Sequence, residues 1–293
     1  MKSLIVGLGF GNAVYRPVLE KIGSTVVTVD PIKDADFKTV EEAIERHKFF
    51  DTVNICTPNF THEEIARKVA DCSSIIFVEK PGVLNSQRWK SLVDDFPNTR
   101  FMMVKNNQYR EEISSFRSLA DQSDRVYIRW NNANRIPNPG SWFTTKELAF
   151  GGVSRDLIPH MLSYYCELTD FANGTKEKTS VRQNYQLADI DSTDYGTIDP
   201  DGTYNVDDFC MFEFKNGNTT WILSACWKTN LDHDDSSIAF GMKNSAVRHV
   251  LGLCPEEAYR KMIEVAIKNL NNNDFWSSQL AQDIWIHEQI ENL

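Results

Sequence analysis

Short apolar runs alternate with amphipathic stretches through the first hundred residues, and this alternation restricts the fold more than any other feature of the chain. The apolar runs are continuous, which is typical of parallel strands buried on both faces. They occupy residues 3–6, 24–30, 51–58, 74–81 and 100–106, and helical patterns occupy residues 13–22, 61–72, 86–96 and 110–122. This order of strands and helices predicts a doubly wound, parallel α/β sheet.

After residue 124 the pattern changes to longer β runs, one of which alternates strictly. Trp221, Leu223, Ala225 and Trp227 fall on one face at a period of two. The β runs occupy residues 125–131, 179–190, 204–215, 218–228, 236–243 and 246–252, and helical patterns occupy 152–166, 255–270 and the tail from about 275. We therefore expect a domain boundary near this point, with a Rossmann domain at 1–123 and an α+β domain at 124–293. The second domain should contain a large, mainly antiparallel open sheet for substrate binding and oligomerisation.

Composition excludes several classes of partner. The chain has 31 Lys and Arg against 41 Asp and Glu, a net charge of −10, which opposes binding to nucleic acid or an anionic membrane. No apolar stretch approaches the roughly 20 residues of a membrane helix. The six cysteines form no CxxC pair, which favours reduced thiols in a cytoplasm over disulfides or a zinc site. The acidic run 232–235 is interpreted as a solvated loop, so no metal is expected.

The turn after the first apolar run contains closely spaced glycines. Gly7-Leu8-Gly9 follows a strand and precedes a helix, the context that a dinucleotide fingerprint requires. Bare backbone there lets a pyrophosphate approach the free amides at the helix N-terminus. The third glycine of GxGxxG should stand at Asn12, whereas Gly11 comes one position early.

Asp30 ends the second strand, 21 residues after Gly9, where an acid accepts hydrogen bonds from the adenosine ribose. A carboxylate there repels a 2′-phosphate, so NAD is favoured over NADP. Lys33 lies nearby and weakens that preference. The alternative is a βαβ unit without nucleotide, in which Asp30-Pro31 is only a turn.

Three further motifs follow in order along the chain. They are T-P-N-x-x-H from Thr57 to His62, E-K-P from Glu79 to Pro81, and G-G-x-x-x-D-x-x-x-H from Gly151 to His160. Together with the N-terminal glycines they closely resemble the Gfo/Idh/MocA oxidoreductases, and 137–142 resembles the family's loop before the last motif. Departures are Asn12, and Tyr15 or Arg16 where relatives often have histidine.

The resemblance implies a site formed by both domains, with Lys80 beside the nicotinamide and Asp156 and His160 across the cleft. The turn and the resemblance together assign the cofactor to Gly7, Gly9, Phe10, Gly11, Asn12, Asp30, Cys56, Thr57, Pro58, Asn59, His62, Glu79, Lys80 and Pro81. Substrate contacts are expected from Lys80, Asn107, Tyr109, Trp142, Asp156 and His160.

These side chains suit the oxidation of an alcohol. A histidine with an ordinary pKa of about 6.5 can take the proton near neutrality. Asp156, four residues before His160, could orient it through a hydrogen bond along one helix. The Lys80 ammonium would stabilise a developing alkoxide. Asp156 and His160 could instead be a helix N-terminus and a surface imidazole.

The predicted function is hydride transfer between NAD(P) and a secondary hydroxyl or ketone of a sugar, polyol or sugar derivative. Two alternatives stay open: a reductase of a non-sugar carbonyl or conjugated substrate, and a non-catalytic NAD(P)-sensing regulator. The expected partner is a small molecule, and the expected assembly is a cytoplasmic homodimer or homotetramer formed through the C-terminal sheet.

Overall fold

A computed structural model describes residues 1–229 and 231–293 of the chain. These residues form two compact units, the first from Met1–Tyr109 and Pro255–Glu291, the second from Arg110–Cys254 and Asn292–Leu293. The two units differ from the predicted division at 123/124 mainly because the carboxyl-terminal helices fold onto the first sheet.

The regular secondary structure runs from Lys2 to Ile290. The strands are β1 (Lys2–Val6), β2 (Thr25–Val29), β3 (Phe50–Ile55), β4 (Ser73–Val78), β5 (Arg100–Met103), β6 (Arg125–Asn131), β7 (Thr175–Arg182), β8 (Phe209–Asn216), β9 (Thr219–Cys226), β10 (Asp235–Met242) and β11 (Ser245–Val250). The helices are α1 (Gly11–Lys21), α2 (Val40–His47), α3 (His62–Val69), α4 (Ser86–Asp95), α5 (Ile113–Asp121), α6 (Lys146–Ala149), α7 (Val153–Asp156), α8 (Ile158–Leu168), α9 (Glu256–Lys268) and α10 (Asn273–Ile290).

The first unit contains a parallel sheet of order β2-β1-β3-β4-β5. Its central strands are buried along most of their length, as the continuous apolar runs predicted. Helix α2 was not predicted, although its start carries a sequence signal. Thr39 accepts a hydrogen bond from the Glu42 amide, and the Glu42 carboxylate accepts one from the Thr39 amide, a complete capping box.

Helices α9 and α10 pack against the first sheet and its helices, α9 against α1 and α10 against α4 and β5. A buried ion pair joins Asp283 of α10 to Lys105, which follows β5. The Met103 amide of β5 also donates a hydrogen bond to Asp283 Oδ2 at 3.0 Å. Because both charges are almost fully enclosed, breaking the pair by removing one partner would be costly. These contacts explain why residues 255–291 belong to the first unit.

The second unit contains a sheet of order β11-β10-β6-β9-β8-β7, in which only β6 and β9 pair in parallel. The predicted fold class is therefore confirmed: a doubly wound parallel sheet and a mainly antiparallel sheet. Trp221, Leu223 and Ala225 are buried on one face of β9, as their spacing predicted. Among the described helices, none is both long enough and apolar enough to cross a bilayer.

Candidate functional site

The glycine turn joins β1 to α1 at the carboxyl edge of the first sheet. Gly7 has φ +92°, and a Cβ there would lie 2.8 Å from the Cys56 carbonyl oxygen, so only glycine fits. A Cβ at Gly9 would meet nothing within 4 Å. The backbone of Gly9 therefore faces open space beside the N-terminus of α1, as close approach of a pyrophosphate requires. These residues fit a dinucleotide.

Gly11 performs the packing task that the fingerprint usually gives to its third glycine. Helix α1 begins at this residue, and a Cβ there would lie 2.9 Å from Ile5 Cγ2 and 3.1 Å from Cys56 Sγ. The next residue, Asn12, is exposed, and its Oδ1 accepts a hydrogen bond of 2.7 Å from Arg16 Nε. The departure at Asn12 is thus a shift of one position in the helix start, and close helix–strand packing is retained.

Asp30 shapes the same turn from the end of β2. Its carboxylate accepts hydrogen bonds from the amides of Leu8 (2.8 Å), Ile32 (2.9 Å) and Lys33 (2.8 Å). Burial alone would raise the pKa of Asp30, but the three amides and the Lys33 charge outweigh it and lower that pKa. Lys33 also donates from Nζ to the Leu8 carbonyl at 3.2 Å. The carboxylate stays charged, and a cation lies beside it.

His62 connects two loops at this edge of the sheet. Its ring is fully buried, with Nδ1 2.8 Å from the Gly82 carbonyl oxygen and Nε2 2.8 Å from the Thr57 carbonyl oxygen. Burial lowers the pKa of His62 and the charge of Lys80 lowers it further, while the two carbonyls oppose this. These two hydrogen bonds hold the Thr57 and Gly82 loops together, and a contact of His62 with the cofactor stays a prediction.

Lys80 follows β4 and is half-buried, with its backbone amide 3.2 Å from Glu79 Oε2. Glu79 Oε1 accepts a hydrogen bond of 2.7 Å from the hydroxyl of Tyr15, which is fully buried. Burial raises the pKa of Tyr15, and the neighbouring Glu79 carboxylate raises it further. The hydroxyl therefore stays protonated and donates to Glu79, and the Lys80–Pro81 peptide bond that follows is cis.

The segment after Lys80 is held by α10, which sequence patterns did not indicate. Val83 donates its amide to His287 Nε2 at 3.3 Å, and His287 Nδ1 lies 2.6 Å from the Asp283 carbonyl oxygen. A Cβ at Gly82, whose φ is +79°, would lie 2.7 Å from His287 Nε2. Asp283 and His287 repeat the D-x-x-x-H spacing of Asp156 and His160, a signal that could have drawn attention to them.

In the second unit, Asp156 and His160 do not share one helix, which corrects the predicted continuous helix 152–166. Helix α7 ends at Asp156 and α8 begins at Ile158, with Pro159 in its first turn. Pro159 has no amide hydrogen to continue the hydrogen bonding of α7 into α8, so the chain restarts the helix.

Two tryptophans support these predicted catalytic side chains. Trp227 donates from Nε1 to Asp156 Oδ2 at 2.9 Å. Trp130 stacks on the His160 ring, with centroids 5.6 Å apart and planes inclined by 29°. A hydrogen bond between Asp156 and His160 themselves stays a prediction.

The two glycines of the last motif allow Asp207 to close the start of α7. The Asp207 carboxylate accepts hydrogen bonds from the amides of Gly152 (2.8 Å) and Ser154 (2.7 Å). A Cβ at Gly152 would lie 1.8 Å from the Asp207 carbonyl oxygen. The motif therefore contains a backbone constraint as well as candidate catalytic groups.

The remaining predicted residues lie in short segments of their own units. Phe10 is exposed and its ring contacts those of Tyr15 and Tyr259 in the first unit. Asn107 is fully buried in a short 3-10 helix, Asn106–Tyr109, that packs on α9. Trp142 begins another 3-10 helix, Trp142–Thr144, in the second unit. Their roles stay predictions.

The acidic run 232–235 makes ion pairs in the second unit. Asp234 pairs with Arg135, and Asp235 pairs with Arg129 and Arg248. Within residues 1–229 and 231–293, no group of three or more His, Cys, Asp or Glu side chains is arranged to hold a metal ion.

Comparisons with known proteins agree with this geometry. Residues 1–103 match the Gfo/Idh/MocA oxidoreductase family, described as having an NAD-binding Rossmann fold. The chain is 25% identical over 232 residues to a protein from Amycolatopsis mediterranei named as the oxidoreductase subunit of a UDP-kanosamine synthase, covering 68% of this chain and 64% of that protein. It is 24% identical over 235 residues to an Escherichia coli D-glucoside 3-dehydrogenase, covering 76% and 62%.

The matched regions span between 50% and 64% of the full lengths of the relatives found by sequence. Among solved structures, a myo-inositol dehydrogenase from Corynebacterium glutamicum superimposes with a TM-score of 0.74 at 12% identity, covering 100% of this chain and 94% of that one. The resemblance drawn from the motifs is therefore confirmed over residues 1–103, which match the NAD-binding Rossmann fold of the Gfo/Idh/MocA oxidoreductase family.

Proposed function

We propose that this protein is an NAD(P)-dependent oxidoreductase that transfers hydride between its cofactor and a secondary hydroxyl or ketone of a sugar, polyol or sugar derivative. The observation that carries the proposal is the open backbone at Gly9, within residues that match an NAD-binding oxidoreductase family. The names of two similar proteins, a D-glucoside 3-dehydrogenase and a myo-inositol dehydrogenase, support a polyhydroxylated substrate.

The cofactor would lie over the glycine turn, with its pyrophosphate at Gly9 and the start of α1. Asp30 remains anionic because three amides lower its pKa, so it would repel a 2′-phosphate and favour NAD. Lys33 reduces this preference without reversing it. Thr57 and Lys80, at the carboxyl ends of β3 and β4, would border the nicotinamide. The bound nicotinamide supplies the carbon that accepts or returns a hydride.

The chain's own side chains would handle the remaining charge and proton. The Lys80 ammonium stabilises negative charge on the substrate oxygen as it becomes an alkoxide. The His160 imidazole takes the hydroxyl proton, while the carboxylate of Asp156 stabilises the imidazolium that forms. Trp130 and Trp227 restrict the orientation of the His160 ring and the Asp156 carboxylate, which reduces the rearrangement needed for proton transfer.

We also propose that the protein is a cytoplasmic homodimer or homotetramer formed through the second sheet. The face of this sheet opposite its buried side carries the apolar side chains of Tyr127, Met211 and Ile222, each of which is partly exposed. Partly exposed apolar side chains on a sheet face are a suitable surface for a second copy of the chain.

The test is turnover, followed as absorbance of the reduced nicotinamide, with NAD or NADP and a panel of hexoses, methyl hexosides and inositols. Lys80→Ala and His160→Ala should each lower kcat at least about a hundredfold while leaving the Kd for NAD nearly unchanged. Lys90→Ala and His233→Ala remove the same charge types at exposed positions and should leave kcat unchanged.

Unchanged turnover in both Lys80→Ala and His160→Ala would refute the proposed chemistry. Binding of NAD without turnover of any substrate in the panel would favour the regulator. Turnover of a non-sugar ketone or a conjugated substrate, without turnover of any sugar or polyol, would favour a reductase of non-sugar carbonyl or conjugated substrates.

A further inference from the structure

Asn132 is a buried polar side chain with an unmet hydrogen-bonding requirement. It is 5% exposed, and its Oδ1 has no hydrogen-bond partner among the residues that the structure describes. An enclosed acceptor without a donor destabilises the folded chain unless another molecule supplies one. The question is which molecule reaches this oxygen.

The register of the second sheet locates the side chain. Strands β6 and β9 pair in parallel, with Ile128 opposite Leu223 and Trp130 opposite Ala225. The ladder continues through the Asn132 amide, which donates to the Cys226 carbonyl at 2.8 Å. Alternation along β6 therefore places Asn132 on the same face as Ile128 and Trp130, and its burial agrees.

The neighbours of Asn132 on that face are the two indoles that support the candidate catalytic groups. Trp130, two residues earlier on the same strand, stacks on His160. Trp227, the residue after Cys226 on the neighbouring strand, donates to Asp156. Asn132 thus lies at the carboxyl ends of the two parallel strands, between the partner of His160 and the partner of Asp156.

We propose that Asn132 binds a hydroxyl group of the substrate, one adjacent to the hydroxyl or ketone that reacts. The inference rests on the proposed function and specifies its substrate class as a compound with at least two neighbouring free hydroxyls. A hydroxyl both donates and accepts, so it can satisfy the amide oxygen and the amide NH₂ alike. A carboxylate or phosphate in its charged form has no proton to donate to Oδ1, so this position selects a neutral hydroxyl.

Asn131 provides a matched control. It has the same side chain and also an Oδ1 without a partner among the described residues. Alternation places it on the opposite face of the sheet, away from Trp130 and Trp227. Asn131→Leu therefore changes the same chemistry one position away and should leave substrate recognition unchanged.

The experiment compares parent substrates with analogues that lack one hydroxyl, using D-glucose, methyl D-glucoside and myo-inositol with their monodeoxy derivatives, on NAD-loaded protein. For the wild type, kcat/KM should be tenfold to a hundredfold lower for one deoxy analogue than for its parent substrate. The Kd of that analogue, measured by calorimetry, should be higher than that of the parent by a similar factor. In Asn132→Leu the discrimination at that hydroxyl should fall to within about twofold. Discrimination at the other hydroxyls should persist.

Asn132→Leu is preferred to alanine because leucine fills a similar volume and removes the unmet acceptor, so the folded state should not lose stability. Asn132→Asp keeps an acceptor for the proton of the substrate hydroxyl and should therefore retain discrimination at that hydroxyl. Discrimination that is unchanged in Asn132→Leu overturns the inference, since a buried water would then be the partner.

The outcomes separate the inference from the function on which it rests. Loss of turnover in Lys80→Ala together with unchanged discrimination in Asn132→Leu overturns the role of Asn132 alone. Absence of both turnover and calorimetric binding for every polyol overturns the two together.

Discussion

Replacement of Gly9 by alanine separates cofactor binding from folding. A methyl group at Gly9 meets nothing within 4 Å and the residue is exposed, so Gly9→Ala should change the free energy of unfolding by less than about 0.5 kcal/mol. The same methyl would stand about 1.5 Å out from the Cα, in the space that a pyrophosphate oxygen needs. Gly9→Ala should therefore leave the stability of the NAD-free protein nearly unchanged and weaken the binding of NAD.

The expected effect on NAD follows from one lost contact. A hydrogen bond between a backbone amide and a charged phosphate contributes about 1.5–3 kcal/mol, so losing one raises the Kd by about tenfold to a hundredfold. Titration of NAD with fluorescence or calorimetry measures the Kd, and thermal unfolding without NAD measures stability. Gly252→Ala is the control, because Gly252 is also exposed and its added methyl also meets nothing within 4 Å.

Gly7→Ala provides the opposite case, because positive φ and contact with the Cys56 carbonyl should cost at least about 1–2 kcal/mol of stability. An NAD Kd for Gly9→Ala equal to that of Gly252→Ala would refute the assignment of the pyrophosphate to this turn. A loss of stability in Gly9→Ala without NAD would refute the open space on which the assignment depends.

Two further predictions concern the residues that hold the turn and the loop after β4. His287→Ala removes the acceptor of the Val83 amide and a buried ring, so the free energy of unfolding should fall by about 2–4 kcal/mol. The kcat should also fall, while the Kd for NAD should not change. Unfolding and turnover measurements test this, and Glu288→Ala, at an exposed position, is the control. Asp30→Asn should lower the free energy of unfolding by about 1–3 kcal/mol at pH 7. Because the folded pKa of Asp30 is below the unfolded value of about 4, its stabilisation is complete above that value and is lost as pH falls through the folded pKa. Thermal unfolding should therefore show the two proteins converging below about pH 4, and a constant gap would contradict this.

Local sequence rules predict the candidate groups that depend on near neighbours along the chain. A strand, a glycine turn, a helix and an acid in that order are sufficient to predict a nucleotide-binding turn, because each element depends only on its own apolar pattern or on a bare backbone. The same rules misplaced the third glycine by one position. Which residue packs on β1, Gly11 or Asn12, depends on where α1 begins. The start of α1 is fixed by its packing against Ile5 and Cys56, which a local rule does not include.

The groups that hold the site in place come from residues far apart along the chain. His287 reaches the Val83 amide across 204 residues, and Trp227 reaches Asp156 across 71. Neither pairing has a sequence period, since each depends on which strand or helix lies beside which. Asp156 and His160 also show that spacing alone is ambiguous, because Pro159 divides the stretch that i,i+4 logic treats as one helix.

The amino-acid sequence by itself determined the class of both sheets, the glycine turn, the acid at the end of β2 and the motifs of the family, because burial patterns and backbone constraints act over a few residues. The tertiary structure alone decided that α9 and α10 complete the first unit, that His62 is enclosed, and that Asn132 stands between Trp130 and Trp227. Those outcomes depend on packing and on the register of strands that are distant in the chain, and both are selected only when the whole chain has folded.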